Sequence, residues 1–180
     1  SLGLTRDPSR NRLIFLLSVK AGLRAKEIAG LTWGMVLNAS GDLEEYISLQ
    51  NIASKGNSGR LIPINKQLRV ELGNHLKATR GKATLHELTD RRVVQTQRGS
   101  QTTPQVIVNM FKGWYTNAGF IGCSSHSGRR TFITNAARKI STVGGSLRDV
   151  QHLAGHSSLQ TTQRYIEGDS EARKRVVELV

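Results

Sequence analysis

The sequence predicts an α+β fold that is mainly helical, with a small three-stranded antiparallel sheet at one edge. Several segments carry apolar residues at helical spacing between a Ser, Thr, Asn or Asp cap and a glycine stop, whereas two short alternating segments flank a Gly/Ser-rich turn. The chain has 180 residues, which suits one domain with a sizeable core. No internal repeat or low-complexity linker divides it.

Two helices are predicted near the start of the chain. Asp7 followed by proline is a helix-start signal, and residues 12–20 read as a buried helix that Gly22 ends. Residues 25–30 fit a short amphipathic helix. Trp33, which follows it, is assigned to the core.

A β-hairpin is predicted next. Residues 45–52 alternate weakly and residues 60–64 return as a second strand, with the Gly/Ser-rich turn at residues 54–59 between them. Pro63 places the second strand at an edge or a strand end. The pair Val93-Val94 is assigned to a short third strand.

The remaining segments read as helices, apart from residues 80–92, which are polar and basic and read as a loop that includes up to one helical turn. Leu68, Leu72 and Leu76 recur every four residues and form one apolar stripe, and His75 beside them is expected to face solvent. In a later helix Val106 is expected to be buried with its apolar neighbours. The predicted helices cover residues 66–79, 104–117, 126–140 and 147–154, and a further one carries Tyr165.

The charge of the chain favours a nucleic-acid partner. There are 26 Lys and Arg residues against 13 Asp and Glu, which gives a net charge of +13. An acidic membrane is the second possibility, but the longest apolar run, residues 13–17, is too short to span a bilayer.

Cys123 is the single cysteine and cannot form an internal disulfide. It is read as a small filler rather than as a thiol nucleophile, and the cytoplasm is the expected compartment.

Residues 124–165 concentrate polar groups that a fold does not require. His126 and Arg129 are three residues apart and would share one face of a helix, and His156 precedes Tyr165 by nine residues. Guanidinium groups suit phosphate oxygens, imidazoles move protons near neutral pH, and a deprotonated phenol can attack phosphorus. This combination suits attack on a phosphodiester. The sequence shows no dense carboxylate or Cys/His cluster, so no metal site is predicted.

Four motifs together resemble the C-terminal catalytic domain of the tyrosine recombinases, the phage-integrase family. They are GLRAKEI, a lysine followed by RLIPI, HSGRRTF, and LAGHSSLQTTQRY. The resemblance implies the fold of that DNA breaking-rejoining catalytic domain and extends from about residue 5 to residue 168. The catalytic residues that it implies are Arg24, Lys55, His126, Arg129, His156 and Tyr165.

The resemblance also implies a mechanism. Tyr165 attacks the scissile phosphorus, which leaves a 3′-phosphotyrosyl link and a free 5′-hydroxyl. The two arginines clamp the non-bridging oxygens, and His156 adds a hydrogen bond. His126 takes or steers the tyrosine proton, and Lys55, near the hairpin tip, protonates the leaving oxygen. No cofactor is implied.

Further residues are assigned supporting roles. Glu27 is expected to hold the guanidinium of Arg24. Arg60, Lys112 and Arg130 are expected to contact DNA. At position 130 many family members carry a second histidine, so this arginine departs from the pattern and adds charge near the DNA backbone.

The resemblance sets expectations for domain organisation and partners. Residues 1–168 are assigned to the catalytic domain, and residues 169–180 to a tail helix that folds back or is exchanged between protomers. The expected partner is double-stranded DNA, bound by a homo-oligomer, a tetramer, at the nucleoid of a bacterial or phage-infected cell and without a membrane. A fragment of a longer integrase is favoured over a naturally minimal member. The alternatives are a type IB topoisomerase-like enzyme and a non-catalytic DNA-binding regulator of the same fold.

Overall fold

Helices dominate the structure, a computed structural model that describes residues 7–50, 59–96, 99, 101–166 and 177–178. The strands in the described part are β1, Tyr46–Leu49, and β2, Arg60–Pro63. The helices there are α1 Pro8–Ala21, α2 Ala25–Gly30, α3 Lys66–Arg80, α4 Leu85–Asp90, α5 Pro104–Asn117, α6 Ser125–Lys139, α7 Leu147–Ala154 and α8 Leu159–Gln163. Short 3₁₀ turns occupy Trp33–Met35 and Ile140–Val143. The prediction of a mainly helical α+β fold is confirmed.

The helix ends follow the capping residues of the sequence. The Asp7 side chain accepts the backbone N–H of Arg10 at the start of α1, and the Asn65 side chain caps α3 in the same way. At its other end α1 stops at Gly22, whose φ of 66° is left-handed. These local signals explain why the predicted and observed helix bounds agree closely.

The sheet has two strands in the described part of the chain, so the prediction of a third strand is wrong there. β1 and β2 run antiparallel, with Tyr46 opposite Pro63 and Leu49 opposite Arg60. The Val93-Val94 pair is buried, but next to it there is only an isolated bridge between Thr32 and Arg92. The pairing cannot extend because the chain enters a 3₁₀ turn immediately after Thr32.

The core is built around α1. Leu13, Ile14 and Leu17 are wholly buried, and Trp33 is 1% exposed, as predicted. Helix α6 approaches α1 so closely at Gly128 that a Cβ there would lie 2.5 Å from the Ser18 hydroxyl oxygen. This contact fixes the next residue of α6 beside the end of α1.

Two predicted side-chain environments are wrong. His75 is buried rather than solvent-facing, because its Nε2 lies 2.9 Å from the Val93 carbonyl oxygen and its ring stacks on Trp33 at 6.0 Å. Val106 is 38% exposed, whereas its neighbour Ile107 takes the buried place on α5.

Two sequence-based expectations fall mainly on residues outside the described part. Of the turn with Lys55, residues 54–59, only residue 59 is described, and of the assigned tail helix, residues 169–180, only residues 177–178 are described. Among the residues that the structure does describe, no helix is both long enough and apolar enough to cross a bilayer.

Candidate active site

Arg129 lies at the meeting point of two helix ends. It is 4% exposed, and its Nη1 donates to the carbonyl oxygen of Gly22 at 2.5 Å. Its Nη2 donates to the carbonyl oxygen of Ala154 at 2.6 Å. The last carbonyls of a helix lack partners within the helix, so both ends gain a donor. Burial and the neighbouring Arg24 lower the pKa of Arg129 to about 10, which leaves it protonated at neutral pH.

Arg24 is held at the start of α2 by Glu27. The Arg24 Nη1 lies 2.8 Å from one Glu27 carboxylate oxygen, and the other oxygen accepts the Arg24 backbone N–H at 2.8 Å. The Arg24 Nη2 reaches the Gly155 carbonyl oxygen at 3.4 Å. The predicted contact between Glu27 and the Arg24 guanidinium is therefore present.

Arg60 occupies a different place from the one predicted. Its side chain is 6% exposed and forms a two-pronged pair with Glu27, at 2.9 and 3.1 Å. Its Nε donates to the Leu153 carbonyl oxygen at 2.9 Å. A direct DNA contact does not fit this burial. The three guanidinium groups that bind the end of α7, called the arginine cluster below, are Arg24, Arg60 and Arg129.

Glu27 is the carboxylate beneath this cluster and has no exposed surface. Burial raises its pKa, but the hydrogen bond and charge of Arg60 and the contacts with Arg24 outweigh burial, so the pKa of Glu27 lies below its ordinary value. The carboxylate is thus ionised at neutral pH. Because three guanidinium groups meet one carboxylate, the site keeps an excess of positive charge.

Gly155 ends α7 in a conformation that favours glycine. Its φ is 62°, and a Cβ there would lie 2.9 Å from the Nη1 of Arg60. The glycine therefore allows the chain to turn sharply while the arginine passes beside its backbone. The turn delivers the next residue, His156, to the edge of the arginine cluster.

His156 is oriented by a hydroxyl group that sequence reasoning missed. Its Nδ1 lies 2.9 Å from the Oγ1 of Thr162, which is fully buried in α8. The Gln151 side chain donates to the backbone carbonyl oxygen of His156 at 3.0 Å. Burial, followed by the charges of Arg129 and the other two arginines, lowers the pKa of His156 to about 4. The imidazole is therefore neutral at physiological pH.

Tyr165 lies against His156. The two rings are 5.6 Å apart between centroids, with their planes inclined by 22°. The tyrosine follows the end of α8 in a turn, where its backbone N–H donates to the carbonyl oxygen of Thr162 at 3.1 Å. Its side chain also packs on a small apolar cluster formed by Ile133, Val150 and Ala154.

The remaining predicted residues lie at the surface or outside the described part. His126 is exposed in the first turn of α6, three residues before Arg129, and Arg130 is exposed on the same helix. Lys112 is exposed on α5, where it lines a groove that the half-buried Cys123 also lines. Lys55 is outside the described residues.

The structure thus brings together four of the six predicted catalytic residues. They come from three separate segments and meet at the end of α7: Arg24, Arg129, His156 and Tyr165. Thr162 was missed although it lies three residues before Tyr165, because the adjacent Thr161 has the same chemistry and the spacing alone does not single out one of them. Among the described residues, no group of three or more His, Cys, Asp or Glu side chains is arranged to hold a metal ion.

Comparisons with known proteins identify relatives of this chain. Tyrosine recombinase XerD of Lacticaseibacillus casei is 31% identical over 157 residues, which are 87% of this chain and 50% of that protein. Tyrosine recombinase XerA of Pyrococcus furiosus is 28% identical over 175 residues, 97% of this chain and 56% of that protein. The chain therefore spans about half the length of these relatives.

Solved structures share the fold. A crystal structure of XerA recombinase superposes with a TM-score of 0.68 at 23% identity, over 98% of this chain and 64% of the other. The XerH site-specific recombinase, bound to palindromic difH substrate in a post-cleavage complex, superposes with a TM-score of 0.72 at 22% identity, over 95% of this chain and 45% of the other. Residues 4–171 match the Phage integrase family. With the motifs, the fold and this match in agreement, the chain belongs to the phage integrase family.

Proposed function

We propose that this chain is the catalytic domain of a site-specific tyrosine recombinase, which cuts and rejoins DNA strands through a 3′-phosphotyrosyl intermediate. The observation that carries the proposal is the stacking of Tyr165 on His156 beside Arg24 and Arg129. A nucleophile, a hydrogen-bond donor and two cations then share one small region. The family and its relatives supply the class of reaction.

The two arginines have the chemistry needed to hold the scissile phosphate. Arg24 retains 21% exposure of its side chain and is tied to Glu27, so its guanidinium is held in one orientation at the edge of the site. Arg129 is fixed by two carbonyl oxygens behind it. In the transition state the non-bridging oxygens gain negative charge, and pre-positioned cations stabilise that charge without reorganisation.

His156 serves as a neutral hydrogen-bond donor in this proposal. Its pKa of about 4 keeps the ring uncharged before DNA binds. When the Thr162 hydroxyl donates to Nδ1, the ring hydrogen is on Nε2 and can be donated to a phosphate oxygen. Thr162 thus orients the ring for this donation.

The covalent step exchanges one phosphate ester for another. The Tyr165 oxygen forms a bond to phosphorus while the bond from phosphorus to the 5′-oxygen breaks. The phenol proton passes to His126, and Lys55 gives a proton to the departing 5′-oxygen. Rejoining reverses these steps with a 5′-hydroxyl as nucleophile. Because the phosphotyrosyl link conserves the ester bond, no external energy source is required.

Double-stranded DNA is the proposed partner, and a tetramer on DNA the proposed assembly. The net charge of +13 supports binding to the phosphate backbone, which should weaken steeply with salt. The exposed Lys112 and Arg130 are proposed to contribute phosphate contacts. Residues 169–180 are proposed to form the segment that protomers exchange. We place the protein with its DNA at the nucleoid of its host.

A suicide substrate tests the function directly. A DNA duplex nicked close to the scissile phosphate loses a short fragment after cleavage, so the covalent adduct accumulates and is seen as a slower band on a denaturing gel. Wild type should form this adduct and Tyr165→Phe should not, although both bind DNA. Tyr46→Phe is the matched control, since Tyr46 is 44% exposed on β1 and should leave adduct formation intact.

DNA binding without an adduct in wild type would favour a non-catalytic regulator. Relaxation of supercoiled DNA without a second site would favour a topoisomerase.

A further inference from the structure

Arg60 joins three segments that are far apart in the sequence. It is the first residue of β2, and it contacts Glu27 of α2 and the Leu153 carbonyl oxygen of α7. The two contacts span 33 and 93 residues of chain. It also passes beside Gly155, where any side chain would collide with it.

Glu27 is shared between two arginines, and this sharing determines the orientation of Arg24. One carboxylate oxygen of Glu27, Oε1, lies 2.8 Å from the Arg24 Nη1 and 2.9 Å from the Arg60 Nη1. The other oxygen, Oε2, accepts from the Arg24 backbone N–H and from the Arg60 Nη2. Arg24 therefore binds the carboxylate through a single nitrogen of its side chain. Its second terminal nitrogen points to the Gly155 carbonyl oxygen instead.

Arg60 itself is held more firmly than Arg24. Its side chain is 6% exposed, against 21% for Arg24, and it uses all three of its nitrogens on fixed protein oxygens. A planar guanidinium group bound by two prongs has a defined orientation, which a single-point contact does not give. Arg60 is therefore the more rigid member of the pair, and the orientation in which Arg24 is held depends on it.

We infer that Arg60 is a positioning residue, which orients the Arg24 guanidinium by occupying the remaining acceptor sites of the shared Glu27 carboxylate. This inference rests on the proposed function, because it concerns the arginine assigned to the scissile phosphate. Without Arg60, the Arg24 side chain can pair with Glu27 through two nitrogens and swing away from the Gly155 carbonyl. The charge of Arg24 would remain in the protein but would point away from the phosphate.

The inference separates cleavage from DNA binding. A misplacement of about 1 Å in a group that contacts the reacting atoms costs about 10²-fold in rate. DNA affinity depends on many basic groups spread along the backbone, so the loss of one oriented contact changes it little. Arg60→Gln should therefore slow adduct formation about 10²-fold, with a dissociation constant for DNA within about threefold of wild type.

The test is a double-mutant cycle on single-turnover adduct formation with the nicked substrate. The variants are Arg60→Gln, Arg24→Ala and the double variant. If Arg60 acts through Arg24, then Arg60→Gln should slow the Arg24→Ala protein by no more than about twofold. Arg69→Gln is the matched control, because Arg69 is likewise held by more than one hydrogen bond, to the carbonyl oxygens of Leu43 and Glu44, but on the exposed surface. It should cleave as wild type does.

The possible outcomes are distinct. Two single effects that multiply in the double variant, or a large loss of DNA binding in Arg60→Gln, would overturn the inference.

If Arg60→Gln does not fold, Arg60→Lys takes its place in the cycle. Arg60→Lys keeps the charge but loses the two-pronged contact, and it should cleave about tenfold more slowly than wild type. In the Arg24→Ala protein the same substitution should slow cleavage by no more than about twofold. If wild type forms no adduct, the proposed function fails and the inference fails with it. If wild type forms an adduct and Arg60→Gln matches its rate, only the inference fails.

Discussion

The imidazole ring of His156 and the phenol ring of Tyr165 stack at a centroid distance of 5.6 Å, with 22° between their planes. The two residues are separated by nine positions, and the short helix α8 between them turns the chain back on itself. Thr162, within that helix, bonds to the same imidazole. The relative placement of the nucleophile and the histidine therefore depends on five residues of helix.

Thr162→Val tests whether the hydroxyl orients His156. Valine has nearly the same shape but cannot bond to Nδ1, so the ring loses the hydrogen bond that orients it. We expect adduct formation to slow about tenfold or more, with a loss of about 1 kcal/mol in the free energy of unfolding. Single-turnover cleavage and urea denaturation measure the two effects. Thr161→Val, at a half-buried position next to it, is the control. Equal effects of the two substitutions on cleavage would contradict this role.

Most of the fold could be predicted because its signals are local. Caps such as Asp7 and stops such as Gly22 act within one helical turn, and the helix bounds agree with them. The failures have non-local causes. His75 borders the predicted leucine stripe, and the buried partners of its ring are distant in sequence: the Val93 carbonyl is 18 residues away, and Trp33 lies earlier still in the chain. The pair Val93-Val94 reads as a strand, yet residues brought beside it from earlier in the chain form a 3₁₀ turn.

The candidate site likewise has features with a local sequence signal and features that depend on distant contacts. Motif spacing predicts His156, Arg129 and Tyr165 as site residues, because the residues of each motif are close in sequence. Arg60, which follows the hairpin turn, was assigned to DNA. Its real partner, Glu27, lies 33 residues earlier, and no local pattern connects the two. The polar partners of a site residue are thus the part of the candidate site that the sequence does not predict and the three-dimensional structure reveals.

Gly155→Ala tests the close passage of Arg60 beside the backbone. Alanine at a φ of 62° is strained, and its Cβ would lie 2.9 Å from the Arg60 Nη1. Gly144→Ala is a matched control, because Gly144 also has a positive φ, 77°, but a Cβ there would meet no atom within 4 Å. We expect the control to lose about 1 kcal/mol of unfolding free energy and to cleave normally.

For Gly155→Ala we expect a larger loss of unfolding free energy and about 10²-fold slower adduct formation, because the arginine cluster must shift. Thermal or urea denaturation and single-turnover cleavage measure both quantities. If both glycine variants cleave at the wild-type rate, the close passage has no catalytic importance.

The neutral state of His156 predicts a pH dependence of stability. Its pKa in the folded protein is about 4, below the ordinary value of 6.5. Between these values the unfolded chain binds a proton that the folded protein does not, so this residue lowers the free energy of unfolding as the pH falls from 6.5 to 4. Above 6.5 its contribution does not vary with pH.

The unfolding free energy of wild type, minus that of His156→Gln, should fall as the pH is lowered from 6.5 to 4. Urea titrations at several pH values measure the difference, and a constant difference would refute the neutral assignment.

Glu27→Gln tests the carboxylate that the arginine cluster shares. The substitution leaves the buried guanidinium of Arg60 and the partly exposed one of Arg24 without their counter-charge, and breaking a buried ion pair in this way costs about 3–5 kcal/mol. Glu71→Gln is the control, since Glu71 pairs with Arg12, whose side chain is 57% exposed, and should cost under about 1 kcal/mol. Because the pKa of Glu27 is lowered from 4.5, its stabilisation is present above that pH and is lost as the pH falls through the lower folded value.

The gap in stability between wild type and Glu27→Gln should therefore close in acid. Urea denaturation at neutral pH and below pH 4.5 measures it, and adduct formation at neutral pH reports on the site. A Glu27→Gln protein as stable as Glu71→Gln at neutral pH, with normal cleavage, would mean that the carboxylate does not hold the arginines in place.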